Sequence, residues 1–192
     1  MSSKNDILKA IKDNNLVKQT ELPNWNDFGI TFENKFEHFS TMLESVGGKA
    51  LITNDLDNTI KELYPDEKVI VSNVENCSLG NFDENACDDP HELKDIDLCI
   101  VKGEFAVAEN GAIWMKNADN RHRSLYFISQ NIVIVISKSE ILNNMHEAYE
   151  KISFEDKGFG TFISGPSKTA DIEQSLVIGA HGPKSGYVIF TD

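Results

Sequence analysis

Four short stretches carry residue types that can do chemistry. The first is Ser164-Gly-Pro-Ser-Lys-Thr-Ala-Asp-Ile-Glu173. Read as a strand, a Gly-Pro turn and a helix over about 170–178, it would expose unpaired amides and a partial positive charge to a phosphate or carboxylate. Gly165, Ser167, Lys168 and Thr169 would form that anion site, although Thr169 also suits a helix cap and Asp171 a helix dipole. It is not a Walker loop, because Pro166-Ser167 stand where Gly-Lys would follow, and Ser167 lacks a Gly-x-Ser-x-Gly elbow. The second is Ala108-Glu109-Asn110-Gly111, a carboxylate at a strand end. Glu109 there suits a general base or an acyl-accepting nucleophile; the same residues suit an Asn-Gly hairpin turn. The third is Gly179-Ala-His181-Gly182-Pro183. His181, with Asp171 and Glu173, could relay a proton or hold a metal. No HxH or HExxH spacing supports a metal, so none is assigned, and a loop histidine serves equally as a helix-end cap. The fourth, Arg121-His122-Arg123, is the one dense cationic cluster; it can meet a carboxylate or phosphate in pairs of donors or balance an acidic surface.

These residues need elements to position them. Ile7, Leu8 and Ile11 share one stripe of a short N-terminal helix, followed by a linker with Pro23 and Gly29. Phe32, Phe36, Phe39, Leu43 and Val46 recur at helical steps before a Gly47-Gly48 stop and predict a core-facing helix. Strands are expected at 50–53 and 68–72, with a helix between them capped by Asn54 or Asp55. That β–α–β order predicts parallel pairing. Residues 75–95 read as an exposed acidic loop with one helical turn. Short strands follow at 98–101, 105–108 and 112–115, and Asn131–Ser137 reads as a strand buried on both faces. Ser137-Lys-Ser-Glu140 fits a capping box for a helix burying Ile141, Leu142, Met145, Ala148 and Ile152. Strands near 161–163 and 187–190 complete an α/β fold, a mostly parallel sheet flanked by helices. The expected division is a helix and linker over 1–30 and one domain over 31–192.

The 192 residues carry 18 basic and 31 acidic side chains, a net charge of −13. That balance argues against broad binding to nucleic acid or anionic membranes, which needs clustered Lys and Arg. With 40% hydrophobic and 26% charged residues, the composition is that of a globular chain. Cys77, Cys87 and Cys99 are odd in number with no CxxC spacing, so zinc-ribbon and iron–sulfur readings lack ligands. Idle thiols in a reducing compartment are expected. The first residues have no apolar core of signal-peptide length. The longest apolar run, Ile132–Ile136, is far short of the roughly 20 residues of a membrane span. A soluble cytoplasmic protein is expected.

Residues 97–190 resemble the lactate-utilisation protein C family, the LUD domain. The resemblance lies in Val101-Lys-Gly-Glu-Phe-Ala-Val-Ala-Glu-Asn-Gly-Ala-Ile113, in Arg121 with Ser124-Leu125, and in the strand Ile132–Ile136. Its most specific part is Ser164–Glu173 continued by Leu176-Val-Ile-Gly-Ala-His-Gly-Pro183. The resemblance implies a fold like the sugar-phosphate isomerase and CoA-transferase superfamily. It also implies a part in oxidising L-lactate to pyruvate beside iron–sulfur partner subunits, with no cofactor in this chain. Carried over by position, it marks Glu109, Arg121, Ser167, Thr169, Asp171, Glu173 and His181. Two departures touch the expected cleft. Asn110 stands where the family has Thr or Ser, which makes the stretch similar to the catalytic-glutamate motif of one class of CoA transferases. Tyr126-Phe127 replaces a Leu-Pro.

The expected role is an accessory or organic-acid-binding subunit, catalytic or not. It would hold its acid between the Gly165–Thr169 turn and Arg121, with Glu109 or His181 handling a proton. The alternatives are a stand-alone acyl-transfer enzyme using Glu109 and a small-acid-binding regulator. No membrane insertion is expected, and self-association is open.

Overall fold

The computed structural model describes residues 3–14, 29–116, 120–153, 158–170, 176–178 and 182–192. Its centre is a parallel sheet of β1 (Lys49–Ile52), β2 (Ile70–Ser72), β3 (Leu98–Lys102), β6 (Asn131–Ser137) and β11 (Ser185–Thr191), in the spatial order β1-β11-β6-β3-β2. The alternation of side chains along a strand divides the core. Ile132, Ile134 and Ile136 of β6 point to one face with Cys99, Val101, Val188 and Phe190. Val133 and Val135 point to the other with Leu98, Ile100 and Ile189. An unbroken Ile/Val strand is what a two-sided burial of this kind requires.

Each face has its own cover. α3 (Leu56–Leu63), capped by Asp55, lays Leu56 and Ile60 on the second face. The first face takes α2 (Lys35–Ser45), capped by Asn34, through Phe39 and Leu43, both fully buried. Phe36 and Phe39 both meet the Phe190 ring edge-on, so the aromatic stripe is core, as expected. A second sheet lies over the same face. It contains β4 (Phe105–Val107), β5 (Ala112–Lys116), β7 (Ile141–Leu142) and β8 (Gly160–Ile163), ordered β7-β4-β5-β8. Ala106, Ala108, Ile113 and Met115 face the central sheet. Leu125 and Tyr126 of the short helix α4 (Leu125–Ile128) are buried in the same core. Phe105 and Val107 face outward to α5 (Met145–Lys151), against Ala148 and Ile152. α1 (Ser3–Asp13) buries none of its residues and leaves Ile7, Leu8 and Ile11 exposed.

Three expectations are corrected. The capping box at Ser137 opens only a 3-10 turn over Lys138–Glu140. Ile141 and Leu142 then pair with β4 as β7, and the helix starts later, capped by Asn144. Pairing two apolar residues into a sheet edge outweighs the local helix signal. The helix expected over 170–178 is overturned by strand pairing at its two ends. β9 (Lys168–Ala170) pairs antiparallel with β10 (Leu176–Ile178), Thr169 opposite Val177. Val177 and Ile178 are β-branched, which favours extended backbone. The stretch 75–95 is not simply exposed. It forms 3-10 turns at Glu84–Ala86 and Pro90–Asp95, with Leu93, Cys87 and Glu84 buried.

Candidate functional site

The structure gathers part of the candidate set into one packed cluster of turns. Glu109, Asn110 and Gly111 join β4 to β5 as the hairpin the Asn-Gly pair predicts; the Asn110 side chain accepts from the Ala112 amide, and Gly111 has φ +66°. Glu109 Oε2 accepts from the Met145 amide at 2.8 Å, where a carboxylate steadies the open end of α5. The Asn110 carbonyl accepts from Ser164 Oγ at 3.2 Å, which fastens this hairpin to the Ser-Gly-Pro turn.

Gly165 sits at φ +71°, and a methyl group there would stand 2.9 Å from the Val46 carbonyl oxygen. Gly48 and Gly186 lie against the same turn, one at each side. The Ser167 amide donates to the Pro183 carbonyl at 2.9 Å, and Gly182 packs on the Ser167 side chain. Lys168 Nζ donates to the Val46 carbonyl at 2.9 Å and the Ser164 carbonyl at 3.4 Å. Lost hydration lowers its pKa from the ordinary lysine value. The motif residues Ser164, Gly165, Ser167, Lys168 and Gly182 thus meet because the backbone is crowded there. With Lys168–Ala170 in a strand, the helix-end anion site expected at this turn has no basis. Thr169 is placed as a backbone position of β9, and Asp171, Glu173 and His181 lie outside the described residues.

Arg121 is engaged elsewhere. Its amide donates to Asn85 Oδ1 at 2.8 Å, its Nη1 to the Asn85 carbonyl at 3.3 Å, and its Nη2 to Asp88 Oδ1 at 2.8 Å. His122 Nε2 lies 2.9 Å from the Cys87 carbonyl, which can only accept, so that nitrogen carries a proton. Arg123 lies over the Phe159 ring, its guanidinium carbon 5.4 Å from the centroid. Together they border an open groove of ≈ 530 Å³ with Pro90, Ser124 and Gly158. The acidic loop and the cationic cluster are thus two sides of one clasp.

Sequence reasoning missed two parts of this region. Glu84, 2% exposed, lies near the amides of Arg121 and His122, but neither carboxylate oxygen makes an aligned hydrogen bond. Burial raises its pKa above the usual glutamate value. Nothing local marks Glu84 among the acidic residues around it. The other part is a chain of hydrogen bonds at the carboxyl ends of β2 and β3. Lys102 N donates to Asn73, Asn73 to Asn120, Asn120 to Tyr126 Oη, and Tyr126 Oη to the Lys116 carbonyl. Asn73, Asn85 and Asn120 line a second cavity of ≈ 420 Å³ there. An asparagine directly after a short strand was the available signal, and carboxyl ends of parallel strands are where α/β sheets usually bind ligands.

The cysteines do not converge. Cys77 packs on the α3 face of the sheet, and Cys87 and Cys99 on the opposite face. All three are free thiols, and burial pushes the Cys99 thiol far up. Among the described residues, no three His, Cys, Asp or Glu side chains gather as a metal ion would need. No helix among them is long and apolar enough to cross a membrane.

Residues 82–191 match the model of the LUD domain. The chain is 29% identical over 161 residues to "Lactate utilization protein C" of Geobacillus thermodenitrificans, covering 76% of this chain and 64% of that protein's length. It is 25% identical over 210 residues to the protein of the same name from Bacillus velezensis, covering 99% of this chain and 80% of that one. The crystal structure of a DUF162 family protein from Deinococcus radiodurans superposes with a TM-score of 0.66 at 20% identity, over 82% of this chain and 96% of that one. That likeness establishes the fold.

Proposed function

Because this chain belongs to the LUD domain family, we propose that it serves lactate utilisation as an accessory subunit that binds a small organic acid. Oxidation of L-lactate to pyruvate releases two electrons and two protons. In this reading the electrons pass to iron–sulfur clusters on partner subunits, and this chain holds or presents the acid. The observation that carries the reading is the match, over 76% of the chain, to a relative named for lactate utilisation. The side chain best suited to the acid is Arg121, whose guanidinium pairs with a carboxylate through parallel N–H donors.

The test is anaerobic affinity purification of the tagged chain from its native cells growing on lactate, with identification of bound subunits and iron analysis. Cysteine-rich, iron-containing partners in constant ratio are the expected result. Recovery of the chain alone, together with unimpaired growth on lactate after deletion of its gene, overturns the reading.

A further inference from the structure

Resting on the reading of this chain as an organic-acid binder, we propose that the groove beside Arg121 is a site for a short carboxylate, and that Asp88 occupies the carboxylate position while the site is free. Arg121 is oriented without help from Asp88. Its amide and Nη1 are both held by Asn85, and both bonds persist if Asp88 departs. The Nη2 donor therefore stays aimed where a carboxylate would be received, and a binding group fixed in advance loses little entropy when a ligand arrives.

Asp88, in contrast, is loosely held. Its side chain is 92% exposed, and among the described residues its bond to Arg121 is its one ion pair or hydrogen bond. Exposed pairs of this kind hold weakly and yield to competing ions. Around the position lie features that suit a small organic acid. Arg123 adds positive charge at the groove, and the Phe159 ring offers an apolar wall. The neighbouring Asp83, Asp88 and Asp89 oppose random anions, so a ligand must match the planar fork to displace Asp88.

The experiment is calorimetry at low ionic strength with sodium L-lactate as the probe, on the whole protein and four variants. Asp88→Asn removes the competing charge while keeping the side chain's shape, and tightens binding by about three- to five-fold. Asp89→Asn makes the same charge change one residue away and leaves affinity within about two-fold. Arg121→Ala weakens binding by about ten-fold or more, and Arg121→Lys, which keeps charge but not the fork, by nearly as much. Melting curves verify that each variant is folded. If Asp88→Asn binds no tighter than the original, or Asp89→Asn gains as much, the competitor role of Asp88 is overturned and the acid-binding reading stands. If L-lactate binds but neither Arg121 variant weakens it, the acid sits elsewhere and the groove is overturned. If no form binds L-lactate at tens of millimolar, the acid-binding reading falls with this proposal.

Discussion

The turn at Gly165 and the clasp between Asn85–Asp88 and Arg121 are held by opposite means. The turn is secured by backbone packed on backbone. Gly165 lies against Val46, with Gly48 and Gly186 close on either side, and Ser164, Ser167 and Lys168 bond to carbonyls or are bonded through their amides. The clasp is secured by exposed charge and amide groups, with one buried carboxylate beneath it. The sequence motifs most specific to the family fall in the first region. The groups freest to meet a ligand fall in the second. A short, sharply defined motif can therefore record steric necessity, while the chemistry lies in residues whose local pattern is ordinary.

That contrast can be broken by substitution, beginning with the turn. Gly165→Ala places a side chain on a left-handed residue 2.9 Å from the Val46 carbonyl. A loss of about 2–3 kcal/mol is expected in denaturant unfolding. A loss near zero would mean that the turn is not held by packing. Glu109→Ala, in the hairpin fastened to that turn, removes the carboxylate from the Met145 amide. About 1 kcal/mol of stability should go, with helix α5 exchanging its amide hydrogens faster.

The clasp should respond in other ways. Burial raises the Glu84 pKa in the folded protein, so the fold retains that proton where the unfolded chain has released it. Stability is then lost as pH rises from the ordinary glutamate value of 4.5 through the folded value. Glu84→Gln removes this cost. The variant should melt a few degrees above the original protein at pH 7.5, and the two should converge near pH 4, as thermal scans at both pH values would reveal. Arg121→Ala has the smallest expected effect, about 1 kcal/mol or less, shrinking further in high salt because the pair is exposed. If Arg121→Ala costs more than Gly165→Ala, the comparison is inverted and Arg121 is a structural residue.

Much of the fold could be read along the chain. The aromatic stripe from Phe32 to Val46, the buried strand Asn131–Ser137 and the Asp55 cap each declare themselves through a local period or a cap, and each stands where expected. The misreadings share a cause. At Ser137 and at Ala170 a local helix signal met a competing strand partner, β4 in one case and β10 in the other. Sequence shows a capping box but not the neighbour that will pair with the next two residues.

The candidate site divides in the same way. Glu109-Asn110-Gly111 as a turn and Arg121 as a carboxylate partner were legible, because residue type alone supplies a left-handed backbone or a planar fork. Where that fork points was decided only by the fold. The contact between Arg121 and Asp88 spans more than thirty positions of chain, and Glu84 differs from its acidic neighbours in being buried. Local propensity and hydrophobic period act over a few residues, so the sequence by itself determined most of the elements, the parallel sheet and the acidic charge. Long-range packing decided which carboxylate is buried, which is tied to a helix end, and which one rests on the arginine.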